Sequence, residues 1–138
     1  TVAQLKDSPS VSADLHIHGF HKNIDKFGDL AIYGADAQSI LDLMHENSEY
    51  KVKLHTNFTT VAAEVVWAVR HEMARTVEDF LARRTRALLL DARASMEMAP
   101  KVAALMSREL DKDDAWVANQ VHHYRHLAES YLIKQSRL

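Results

Sequence analysis

Cysteine is absent from the 138 residues, which removes disulfides, thiolate metal sites and cysteine nucleophiles. That absence is compatible with a cytosolic setting. Only three glycines occur, Gly19, Gly28 and Gly34, and they are scattered. A nucleotide pyrophosphate needs closely spaced glycines, as in G-x-G-x-x-G, so that backbone N–H groups can approach it at a helix N-terminus. These three cannot build that loop, so any dinucleotide cofactor is expected to be held in another part of a longer protein. Long apolar runs are missing too. Clean apolar runs such as Ala87 to Leu90 fall far short of the roughly 20 residues that span a bilayer. No signal peptide is recognisable, and the chain opens at Thr1 rather than Met, as expected of a fragment.

What is present is ordinary. The apolar share is 47% and the charged share 26%, those of a globular domain. The length suits one domain with a single core. A formal charge of −2, from 17 basic and 19 acidic residues, gives no reason to expect a nucleic-acid partner.

Residues 1–34 are expected to form a linker and extended arm, and residues 35–138 a helical domain. The first 13 residues are polar, with Pro9 among serines, and read as a linker. Asp14 to Phe20 (DLHIHGF) alternates Leu15 and Ile17 and predicts a short extended segment packed on a neighbouring domain. Gly28 and Gly34 punctuate a turn-rich stretch before a first helix over Ala35 to His45, with Ile40, Leu41 and Met44 on one face. From about Thr59 helical spacing dominates. Val61, Val65, Ala68, Val69 and Met73 form an apolar stripe at a period of 3.6.

Thr76 with Asp79 at N3 predicts a capping box, and Glu78 favours the positive helix end. Asp91 and Asp113 open two later helices. Met96, Ala99, Val102, Ala103, Met106 and Leu110 share a face of the first. Pro100 is expected to kink or split that helix. On the last helix Trp116, Val117, Val121, Tyr124, Leu127, Ala128 and Tyr131 share a face. The fold class is therefore all-α, a bundle of about five helices with a short N-terminal extended arm. No internal repeat is visible.

Three groups of residues could carry chemistry. His16 and His18, behind Asp14 and ahead of His21, could chelate a metal from one side of a strand. A barrel that uses such a strand needs roughly 250 residues and further strands, whereas this chain turns helical, so a metal site is disfavoured. His122, His126 and Glu129 share a helix side, but the side opposite Trp116 and Tyr124, which predicts a solvated face. His71-Glu72 lacks the second histidine of H-E-x-x-H, since Arg75 stands in its place.

The third group is Arg70, Glu72, Arg75, Glu78, Asp79, Arg83, Arg84 and Arg86. Glu72 falls within the apolar stripe of the helix that starts near Val61, and a carboxylate facing a core is costly unless paired. Arg83 and Arg84 can supply bidentate guanidinium partners. Glu64, Glu72, Asp79, Arg83 and Arg84 are the candidates for a structural ion-pair network, favoured over a phosphate site because acidic partners lie so close. No catalytic, cofactor-binding or metal residue is assigned.

The ordered series Glu64, RHEMA (Arg70 to Ala74), Glu78-Asp79 and LARRTR (Leu81 to Arg86) resembles the C-terminal domain of FAD-dependent glycerol-3-phosphate dehydrogenases and α-glycerophosphate oxidases. APKVAALM, Ala99 to Met106, extends the resemblance. So do HIHGF (His16 to Phe20) and Ile32-Tyr33-Gly34, which are similar to the segment leading into that domain. The resemblance implies a cap packed on the flavin-binding domain of its own polypeptide. The parent would oxidise sn-glycerol 3-phosphate to dihydroxyacetone phosphate by hydride transfer to FAD. It would hold that FAD, and the residues that touch substrate, outside this chain. The cap alone would have no activity.

The resemblance leaves open dehydrogenase against oxidase, and a membrane-associated, homo-oligomeric parent. It implies a cytoplasmic placement, with the inner face of the cytoplasmic membrane open to the parent. A freestanding interaction module, with Trp67 and Trp116 on its surface, is the alternative. Residues 50–60 stand outside the pattern.

Overall fold

The computed structural model describes residues 9–132. The chain is all-α, with no strand among the described residues and one isolated antiparallel bridge, Lys53 to Val61. It divides into two compact units, Thr1–Ala37 and Gln38–Leu138.

In the first unit Asp14 to Phe20 pairs into no strand. One turn precedes it, closed by the Asp14 N–H on the Val11 carbonyl (3.3 Å), and a second ends it, closed by the Phe20 N–H on the Ile17 carbonyl (3.1 Å). No strand lies beside it to pair with its N–H and C=O groups, and Leu15 and Ile17 stay exposed. Ile24–Asp36 follows as tight 3-10 turns, broken at Gly28 (φ 55°) and Gly34 (φ 59°). Phe27 and Leu30 are buried in it.

The second unit carries the main core. Helix α1 is Ala37–Glu46, with Ile40 and Leu43 buried. A single 3-10 turn, Ser48–Lys51, is capped by Asn47, whose side chain accepts the Glu49 N–H. The loop beyond it is fastened to a later helix. Lys101 donates to the Lys53 carbonyl at 3.0 Å, and Asn57 to the Asp91 carboxylate at 3.0 Å. Helix α2, Ala62–His71, is buried from Ala62 to Val69 on every side and not along a stripe alone. That is the signature of a central helix.

Helix α2 stops sooner than its apolar spacing predicts. Met73 takes a left-handed φ of 56°, which turns the chain away and leaves its side chain 78 % exposed. Glu72 is thus the residue that ends the helix and not a member of the apolar stripe. A π-helical turn, Asp79–Arg84, buries Phe80 and Leu81 completely, each contributing about 1.5–3 kcal/mol by removal from water. Arg86, also left-handed (φ 57°), leads into the short helix α3, Ala87–Leu90.

Helix α4, Ala92–Leu110, begins where Asp91 accepts the Ala94 N–H. It runs unbroken through Pro100, so the expected split does not occur. Pro100 is exposed while Met98, Ala99, Val102 and Ala103 are buried, so the neighbouring side chains hold the helix together across the missing N–H. A left-handed Asp111 ends it. Helix α5, Asp114–Glu129, is opened by Asp113, which accepts the Trp116 N–H at 2.8 Å. Tyr124 and Ala128 are buried on it, whereas Tyr131 lies past its end and is half exposed. Helix α4 is the hub, packing against α2, α3 and α5.

Candidate functional site

A dense polar cluster lies between the end of α2 and the start of α3, where the chain turns in left-handed geometry at Met73 and again at Arg86. The Thr76–Asp79 box forms as expected. The Asp79 N–H donates to the Thr76 hydroxyl (3.1 Å), and the Asp79 carboxylate accepts the N–H groups of Thr76 (2.9 Å) and Arg75 (3.0 Å). The π-helical turn follows at once. The Thr85 N–H reaches back five residues to the Phe80 carbonyl at 3.0 Å, and the Gln120 side chain of α5 accepts the Val77 N–H at 3.0 Å.

The two adjacent arginines take different roles. Arg84 is the inner one, with a quarter of its side chain exposed. Its Nε lies 3.2 Å from the Glu72 carboxylate, and its other nitrogens donate to the Glu72 and Asp79 carbonyls. It therefore closes the corner at Met73 by donating to main-chain carbonyls on both sides of it. Arg83 is 62 % exposed and bridges the Asp79 and Glu78 carboxylates. Burial by itself would raise the Asp79 carboxyl, but the donors from Arg75, Thr76 and Arg83 outweigh it and hold the group below the usual carboxylate range.

Other members of the charged group lie elsewhere. Arg70 pairs with Glu109 through two hydrogen bonds, 2.7 and 3.0 Å, tying α2 to α4. Arg75 donates to the Val69 carbonyl, and Arg86 is exposed. Glu64 is buried at the start of α2, where its carboxylate accepts the Val61 N–H at 2.7 Å. A second fork, Arg108 to Glu49 at 2.7 and 2.9 Å, joins residues far apart in sequence. Local spacing carries no signal for that pair.

The N-terminal histidines face different partners. His16 stacks on Phe20, His18 contacts Asp36 at 2.9 Å, and the His21 ring accepts the Asn23 N–H. On α5, His122, His126 and Glu129 are solvated, with His126 and Glu129 3.9 Å apart. No group of three metal-ligating side chains converges among the described residues. Trp67 is buried and stacked on His71, so it does not form a partner surface.

Helices α2, α4 and α5 open on the carboxylates of Glu64, Asp91 and Asp113, which fill the positions an anion would take. Two of the three glycines are engaged with each other, the Gly19 carbonyl accepting the Ala35 N–H beside Gly34. Among the described residues no helix is long and apolar enough to cross a membrane.

The polar side chains described above hold corners and helix ends of an all-α domain. Residues 26–117 match the family described as the C-terminal domain of alpha-glycerophosphate oxidase, and the chain belongs to that family. Its relatives include three proteins named as mitochondrial glycerol-3-phosphate dehydrogenases, the Dictyostelium one being named as probable. It is 43% identical to the Schizosaccharomyces pombe protein over 53 residues, 38% of this chain and 8% of that protein. It is 39% identical to the Bos taurus protein over 64 residues, 46% of this chain and 9% of that protein. To the Dictyostelium discoideum protein it is 35% identical over 75 residues, 54% and 12%. The chain thus spans about a tenth of the length of the relatives it matches. No solved structure matches it.

Proposed function

We propose that this chain is the helical cap of a flavoenzyme that oxidises sn-glycerol 3-phosphate to dihydroxyacetone phosphate. Residues 1–34 serve as the arm that joins it to the flavin-binding domain of the same polypeptide, and residues 35–138 as the cap. The observation that carries the reading is the match over residues 26–117 to a C-terminal domain family whose relatives are named glycerol-3-phosphate dehydrogenases. FAD is held in the preceding domain, and the carboxylate-closed helix ends of this chain support that division of labour. Glu64, Glu72, Asp79, Arg83 and Arg84 are architecture in this reading, because their charges are spent on one another and on main-chain groups.

The test uses the 138-residue chain beside the full parent protein. The chain alone, incubated with FAD, is expected to retain no flavin absorbance and to oxidise no glycerol 3-phosphate. The parent is expected to do both. Stoichiometric flavin on the chain alone, or a parent that lacks flavin, overturns the proposal. Oxygen uptake against quinone reduction by the parent separates oxidase from dehydrogenase. The relatives are named as mitochondrial, and the cytoplasmic placement proposed here is tested by fractionating the cells that make the parent.

A further inference from the structure

The unit that ends at Ala37 carries an apolar face that its own fold leaves uncovered. Around the Gly19–Gly34 crossing, Ile17, Phe20, Ile24 and Ile32 line one shallow concavity. They are 70 %, 47 %, 36 % and 80 % exposed. Among the described residues of this unit, the buried apolar side chains are Phe27, Leu30 and Ala37. A core that small cannot hold a unit of this size by burial alone. Four large apolar side chains gathered at one concavity mark an interaction surface.

We propose that this concavity is the docking surface for the catalytic portion of the parent polypeptide, which seats an apolar, convex element in it. The proposal rests on the functional reading above. The occupant follows from the lengths. The chain covers 8 to 12% of its relatives, and its family is described as a C-terminal domain, so most of the polypeptide lies before it. The concavity is carried by the part of the chain closest in sequence to that portion. A second copy fits less well, because two-fold pairing sets concavity against concavity and leaves an unfilled space.

Hydrogen–deuterium exchange tests this on the full parent and on the 138-residue chain. Peptides covering residues 15–35 are expected to exchange about tenfold or more slowly in the parent. Ile32→Asp in the parent should abolish that protection with flavin content unchanged, and Ile32→Val should keep it. Since Ile32 is exposed, the charge does not enter the unit's own core. Equal exchange in both samples overturns the proposal even when the parent binds flavin and oxidises glycerol 3-phosphate. A parent without flavin fails the functional reading instead. Protection already present in the isolated chain also overturns it. Protection lost on dilution would assign the face to a second copy, and concentration-independent protection to this chain's own helical unit.

Discussion

The Gly19 carbonyl oxygen occupies the place where a Cβ on residue 34 would sit, and it accepts the Ala35 N–H at 2.9 Å. Gly34 also holds φ 59° with ψ −130°, a conformation close to exclusive to glycine. Two stretches fifteen residues apart are pinned by this contact between backbones. Both belong to the segments, HIHGF and Ile32-Tyr33-Gly34, that carry the family resemblance upstream of the helices.

Gly34→Ala should therefore open the crossing. The Ala35 amide is expected to lose its exchange protection while the far-ultraviolet helix signal of α2 to α5 is kept. Gly28→Ala is the control. It shares the positive φ and a similar ψ of −124° but meets nothing within 4 Å, so it carries the backbone penalty of about 1–3 kcal/mol without the clash. An Ala35 amide equally protected in Gly34→Ala and wild type would show that the crossing is not what orders this unit.

Arg83 and Arg84 are neighbours in sequence and should differ in effect. Arg84→Ala leaves the Glu72 and Asp79 carbonyls without their charged donor in a partly buried corner, at an expected cost of about 2–4 kcal/mol. Arg83→Ala removes an exposed pair and should cost about 1 kcal/mol or less. Denaturant unfolding of the two variants decides it, and equal losses would contradict the division of roles. Arg84→Lys keeps the charge but loses the planar fork, so it should fall between wild type and Arg84→Ala.

Tyr124 and Asp79 make stability depend on pH in opposite directions. Tyr124 donates to the Ser95 hydroxyl at 3.0 Å inside the core, and burial pushes its phenol up to about 12. The folded state holds this proton after the unfolded state has released it. Stability is thus complete below about pH 10, the phenol's ordinary value, and declines as pH rises toward 12. One tyrosine should titrate late in the ultraviolet, and Tyr124→Phe should remove that phase for about 0.5–1.5 kcal/mol. Asp79 acts at the other end. Its carboxyl is lowered by folding, so its contribution is present above about pH 4 and is lost as pH falls through its depressed value. The stability gap between wild type and Asp79→Asn should close on acidification, and a gap independent of pH would refute the assignment.

The helix starts were legible in the sequence because each is written locally. Thr76 with Asp79, and Asp91 and Asp113 before their apolar runs, are short-range signals that tertiary packing had no reason to override. The ends were less legible. Nothing in RHEMA announces that the chain turns at Met73, since no glycine or proline stands there, so Glu72 and Met73 seemed to continue the stripe. Pro100, a strong local breaker, does not split its helix, because buried residues stand on either side of it. The five candidate residues were individually readable. Which carbonyls Arg84 would reach depended on a π-helical turn that no residue spacing predicts.

Met73, Arg86 and Asp111 turn the chain at three corners in left-handed geometry without glycine. Each corner stores roughly 1–2 kcal/mol of backbone strain, yet an unfolded chain with side chains at those positions has fewer conformations to lose. Glycine would relax the strain and loosen the unfolded chain, two effects of opposite sign. These positions are consequently poor sites for improving the domain by substitution to glycine.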